Sequence, residues 1–119
     1  MTLDQEYDLM VNALFKDGDA LMTEVTPFKL SLNHISAGLA GEIGEIVDAI
    51  KKHTMYNKEL DIPNLKEELG DLEFFLAKLR IILGFTREEI LLGNKSKLAV
   101  RYSSGSYSNK EAHQRADKI

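Results

Sequence analysis

Apolar residues recur along this chain at the spacing of a helix and almost nowhere at that of a strand. Leu3, Tyr7, Met10 and Leu14 follow at steps of four, three and four, which predicts an amphipathic helix over about residues 2–16. "KDGD" breaks it, and a looser segment with Pro27 follows. Ser31 is the expected N-cap of a second helix running to about Tyr56. "YNKELDIP" reads as a connection, and Asn64, directly after Pro63, as the cap of a third helix that stops before Gly84. Thr86 with Glu89 forms a capping box for a fourth helix ending near Ser103, and Ser108 with Glu111 opens a short last one. The pattern predicts an all-α chain: a four-helix-bundle-like core with a short C-terminal helix, in one domain over residues 1–119.

The second helix has an unusual polar face. At about 100° per residue, His34, Gly38, Gly41, Glu42, Glu45, Asp48 and Lys52 share one arc, while Ile35, Leu39, Ile43, Ile46, Val47 and Ile50 fill another. Each helical glycine costs about 1 kcal/mol relative to alanine. Glycine on a polar face therefore points to close approach, by a neighbouring helix or by a ligand.

On the third helix Glu68 falls inside the apolar arc made by Leu65, Leu69, Leu72, Leu76, Leu79 and Leu83, with Asp71 at its edge. A carboxylate on an apolar face must be paired, protonated or metal-bound. Two helices thus each carry carboxylates at i, i+3: Glu42 with Glu45, and Glu68 with Asp71. Four such groups converging would repel one another without cations. An oxygen-only ligand set suits a hard ion, Mg²⁺ or Mn²⁺. Neither pair contains the Glu-x-x-His spacing of di-iron bundles, which argues against redox iron. On the fourth helix Lys97 and Arg101 lie one turn apart and share a face with Asn94, Ile90, Leu91, Leu98 and Tyr102, so this basic set is expected to point inward. Acids holding a metal beside Asn94, Lys97 and Arg101 suit a polyphosphate. A salt bridge from Lys97 or Arg101 to Glu68 or Asp71 is the structural alternative.

Composition narrows the class. Residues 1–93 carry 9 basic and 17 acidic side chains, a net −8; residues 94–119 carry 6 and 2, a net +4. An acidic body does not favour nucleic acid as a partner. No apolar run approaches the ~20 residues of a membrane span, and the acidic start "MTLDQEYD" is unlike a secretion signal. Cysteine is absent, so a disulfide framework and a thiolate metal site are excluded and a cytoplasmic location fits.

The stretches "GLAGEIGEIVDAIKKH", "NLKEELGDLEFFLAKL" and "NKSKLAVRY" resemble the MazG-like all-α nucleoside triphosphate pyrophosphohydrolases. That family carries E-x-x-E, a spacer, and E-x-x-D; here 22 residues, Ile46 to Glu67, separate the halves. The resemblance covers about Ser31 to Arg115. It implies Mg²⁺-dependent hydrolysis of an NTP or dNTP between the α and β phosphates, giving a nucleoside monophosphate and pyrophosphate, for housecleaning or regulation of a nucleotide pool. It implies that Glu42, Glu45, Glu68 and Asp71 bind metal and that Asn94, Lys97 and Arg101 handle phosphates; one of Glu42 and Glu45 is then the expected general base, since the attacking water needs only a nearby acceptor. It also implies self-association, as a homodimer or a dimer of dimers.

Other positions carry weaker readings. Lys52 lies two turns beyond Glu45, within reach of a triphosphate, or is a surface lysine. His34 shares the acidic arc and is a base or sugar contact, or an ordinary hydrogen-bonded histidine. Phe28 and Tyr56 could stack on a base, though aromatic residues near helix ends are more often core. Competing functions are a non-catalytic nucleotide- or metal-sensing or oligomerisation module, a relative of phosphoribosyl-ATP pyrophosphohydrolase, and a metal-stapled structural bundle.

Overall fold

The computed structural model describes residues 1–118; Ile119, the last residue of the expected single domain, lies outside the described residues. Helices are the only regular elements among the described residues, with no strand: α1 (Leu3–Leu14), α2 (Gly18–Met22), α3 (Pro27–Met55), α4 (Ile62–Leu83), α5 (Arg87–Arg101), α6 (Asn109–Gln114) and a 3-10 turn (Ala116–Lys118). Two compact units are distinguished, Met1–His34 and Ile35–Ile119, with α3 running through the boundary.

Local chemistry sets the helix ends. Thr2 and Gln5 close a capping box on α1. Asp17 caps α2, a five-residue helix too short for hydrophobic periodicity to reveal. Helix α3 begins at Pro27 rather than at Ser31. The Thr26 hydroxyl accepts from the Lys29 N–H at 3.2 Å, and proline costs nothing in the first turn, where its missing N–H has no intrahelical partner. Likewise Asp61, not Asn64, caps α4: its carboxylate accepts from the Asn64 N–H at 3.1 Å, and Pro63 sits in the first turn. Gly84, left-handed with φ 80°, ends α4. The Thr86–Glu89 capping box forms, but α5 stops at Arg101. Ser108 caps α6 by accepting from the Glu111 N–H at 3.0 Å.

Within the Ile35–Ile119 unit, α3 and α4 lie side by side and antiparallel. Gly38 meets Phe75, Glu42 meets Asp71 and Glu68, and Asp48 shares a hollow with Asn64. A Cβ at Gly38 would strike the Phe75 ring, so this glycine is what lets the helices approach. Leu76, Leu79 and Leu83 of α4 line a second hollow of about 320 Å³ with Phe85, Ile90 and Leu91. The 3-10 turn and α6 pack on α5.

Among the described residues only Ile35, Ala49 and Glu68 are buried. The apolar stripe of α1 is exposed at Leu3, Tyr7, Met10 and Leu14, and so are Leu69, Leu76 and Leu83 of α4. Within the Ile35–Ile119 unit the apolar face of α4 is therefore not sealed at these positions. Periodicity identifies an apolar face, not the molecule that covers it.

Candidate metal and phosphate site

The acids predicted to converge do so across the α3–α4 contact. Ligand oxygens of Glu42, Glu68 and Asp71 lie within 4.8 Å of one another. Glu42 is half-buried, Glu68 is 8% exposed, and Asp71 is exposed at the edge. Glu45 joins them through Glu68. Hydrogen bonding to the carboxyls of Glu42 and then Glu45, together with burial, pushes the Glu68 carboxyl up to about 8. At neutral pH the metal-free cluster therefore keeps a proton, the cheapest substitute for a counter-ion. One oxygen of Glu42 and one of Glu68 are buried without a hydrogen-bond partner. A buried orphan acceptor is costly, and a cation would satisfy both. The set is oxygen-only and suits a hard divalent ion.

A hollow of about 430 Å³ opens beside the cluster, lined by Gly41, Gly44, Glu45, Asp48, Asn64 and Glu68. A Cβ at Gly41 or Gly44 would meet nothing within 4 Å. These two glycines leave space where Gly38 admits a ring. The sequence marks Asn64 only as a helix cap. The antiparallel register brings it to this hollow, and no local signal in the sequence marks that.

A model of the MazG nucleotide pyrophosphohydrolase domain matches residues 30–105. The chain belongs to that family. No curated protein and no solved structure matches it. The matched span takes in all four acids of this MazG domain, together with Asn94, Lys97 and Arg101.

The remaining expected residues fall into two groups. Asn94 and Lys97 are exposed on α5, which buries none of its residues; the inward face read from their spacing is not enclosed in one chain. Arg101 is part-buried, and its salt bridge goes to Asp117, at 3.0 Å, rather than to Glu68 or Asp71. Lys52 is half-exposed and pairs with Asp48 one turn earlier at 2.8 Å, which lowers the Asp48 carboxyl and raises the Lys52 amine. Tyr56 is exposed, with the Lys51 amine 5.7 Å from its ring centroid. Phe28 and His34 lie on α3 within the Met1–His34 unit, both exposed. His34 stands two turns before Glu42 on the same helix.

Proposed function

We propose that this MazG domain hydrolyses a nucleoside triphosphate, ribo or deoxy, between the α and β phosphates, yielding a nucleoside monophosphate and pyrophosphate. The observation that carries the reading is a cluster of acids around the buried Glu68, with one oxygen of Glu68 and one of Glu42 left without a hydrogen-bond partner, inside a family of nucleotide pyrophosphohydrolases. Glu42, Glu45, Glu68 and Asp71 would hold Mg²⁺, or Mn²⁺. The bound ion supplies charge neutralisation for the phosphate oxygens and activates water near neutral pH.

The side chains do the rest. Glu68 must give up its shared proton before the cluster can take a cation. Glu42 or Glu45 accepts the proton of the water that attacks phosphorus in line, as the anhydride bond between the α and β phosphates breaks. Lys97, Arg101 and Asn94 orient the phosphates, with Lys52 at the far end of the acidic face. His34, Phe28 and Tyr56 are assigned to the base or sugar. We place the enzyme in a cytoplasmic nucleotide pool, in keeping with its lack of cysteine; no helix of the described residues is long and apolar enough to cross a membrane.

Self-association completes the proposal. Large apolar side chains on α1, α4 and α5 stand exposed in one chain, a condition that marks interaction surfaces. A homodimer or dimer of dimers would bury them, and light scattering on the purified chain tests this by its mass.

The deciding experiment is pyrophosphate release from the eight common NTPs and dNTPs with Mg²⁺, beside Glu68→Gln. Turnover lost in the variant establishes the enzyme. A folded protein that binds Mg²⁺ and turns over none of the eight overturns the reading for common nucleotides and favours a sensing module.

A further inference from the structure

The end of α5 carries a second cluster that the acid site does not use. The Arg101 Nε donates to Asp117 Oδ1 at 3.0 Å and its Nη2 to Oδ2 at 3.3 Å. Arg115 reaches the same carboxylate, each of its two bonds at 3.4 Å. The Asp117 side chain is 2% exposed, Arg101 17%. Asp117 lies beyond the matched residues 30–105 and comes back to α5 because Arg115 ends α6 in the left-handed region, at φ 48° and ψ 52°. A residue with a Cβ adopts that conformation only where its surroundings hold it there.

Charge and geometry together say what this arrangement is for. Two arginines face this one carboxylate, with Lys97 one turn earlier on the same helix as Arg101 and Glu111 one turn before Arg115 on α6. A guanidinium offers five donors in a rigid planar fork. Asp117 takes the Nε–H and one N–H of Nη2 on Arg101, which leaves the second N–H of Nη2 and those of Nη1 unused by the carboxylate, on a guanidinium that the Tyr102 side chain also contacts. A two-point grip of this kind fixes the plane of the group, so less freedom is lost when a ligand binds.

We infer that Asp117 is a positioning residue, gripping the side of the Arg101 guanidinium so that its remaining donors are set for a phosphate group of the nucleotide. The role rests on the hydrolysis proposed above. The Arg101 and Arg115 guanidiniums hold the Asp117 carboxyl far below the usual carboxylate range, so the grip persists across any practical assay pH.

The test compares the full chain, Asp117→Asn, Arg101→Ala and the double variant, at a temperature where circular dichroism shows each folded. Two readouts are taken: kcat and KM for pyrophosphate release, and calorimetric affinity for inorganic tripolyphosphate with Mg²⁺. Asp117→Asn is expected to lower kcat/KM by tenfold to about a hundredfold and to weaken tripolyphosphate binding. It should cost nothing further in the Arg101→Ala background, the signature of residues acting as one unit. Unchanged kinetics and affinity in a folded but less heat-stable Asp117→Asn would make Asp117 a mere staple and overturn the inference. So would additive losses in the double variant, or tighter tripolyphosphate binding, which would make Asp117 a competitor of the phosphate. If the unaltered chain releases no pyrophosphate, the hydrolysis reading fails by itself and tripolyphosphate affinity alone decides; no binding, or equal binding in both proteins, overturns the role of Asp117. Should Asp117→Asn not fold, Asp117→Glu keeps the charge and moves it by one methylene. Severalfold weaker tripolyphosphate binding is then expected, and unchanged affinity overturns the inference.

Discussion

Two carboxylates are withdrawn from water in this chain and are held in opposite ways. Glu68 is buried among other acids, and its proton is retained to about pH 8. The Asp117 side chain, 2% exposed, lies between two arginines, and its proton is lost far below the usual range. The first carboxylate has acids for neighbours and the second has guanidiniums. A buried carboxylate therefore says little about function until its neighbours are read. One of these keeps a proton for want of a cation, while the other is already paired.

The sharpest way to break the comparison is Glu68→Gln. It should reduce pyrophosphate release by about a thousandfold, the scale of several kcal/mol of lost charge stabilisation. In chelator, however, the same variant should melt at a higher temperature than the unaltered chain, because it removes one member of a mutually repelling set. Assay and thermal melt on one preparation check both signs. A variant that loses activity and stability together would make Glu68 a structural group. Next in size is Asp117→Asn, whose melting temperature should drop by several degrees with or without metal, since two guanidiniums lose their shared partner. Equal melting of variant and parent would show that the C-terminal turn contributes nothing to stability.

The two sites also part on pH. The unfolded chain releases the Glu68 proton near 4.5, whereas the folded metal-free protein keeps it to about 8. Between those values the native state binds more protons, so its stability falls as pH rises through the window. Asp117 does the reverse: its contribution is fully present above 3.8 and is lost only as pH falls through its depressed native value. Melts in chelator from pH 5 to 8 should therefore slope downward. Glu68→Gln should flatten that slope and Asp117→Asn should leave it. A smaller effect follows from the same proton: Mg²⁺ binding near pH 7 should release about one proton, read by calorimetry in buffers of different ionisation enthalpy. Binding with no proton release would mean that the ion bypasses Glu68.

The acid cluster was legible in the sequence because it is local. Two i, i+3 pairs on two long helices needed only helical geometry to show that Glu68 falls on an apolar arc, and the family pattern supplied the partner helix. Asp117 was not legible, because its partner Arg101 lies 16 residues away and the turn joining them depends on a left-handed arginine that no propensity announces. The starts of α3 and α4 differ from the expected ones for one reason: proline reads as a break in a sequence, whereas Pro27 and Pro63 each stand in a first turn. The exposed stripe of α1 marks the limit of periodicity, which reports that a face is apolar and is silent on what meets it.

Two glycines of α3 carry the comparison to its smallest scale, since residues of one type on one face serve different needs. Gly38 faces the Phe75 ring, and a methyl group there must displace it. Gly38→Ala should destabilise the fold by about 1–3 kcal/mol from overpacking, partly offset by alanine's better helix propensity. Gly41 meets open space on the wall of the hollow beside the acids. Gly41→Ala should therefore stabilise the fold by up to about 1 kcal/mol, while KM for the nucleotide rises if the hollow holds the substrate. Denaturant unfolding of the two variants, side by side, reads the opposite signs directly. Stabilisation by both would mean that the α3–α4 contact has slack at Phe75, and that the glycine at position 38 is there for a ligand rather than for a helix.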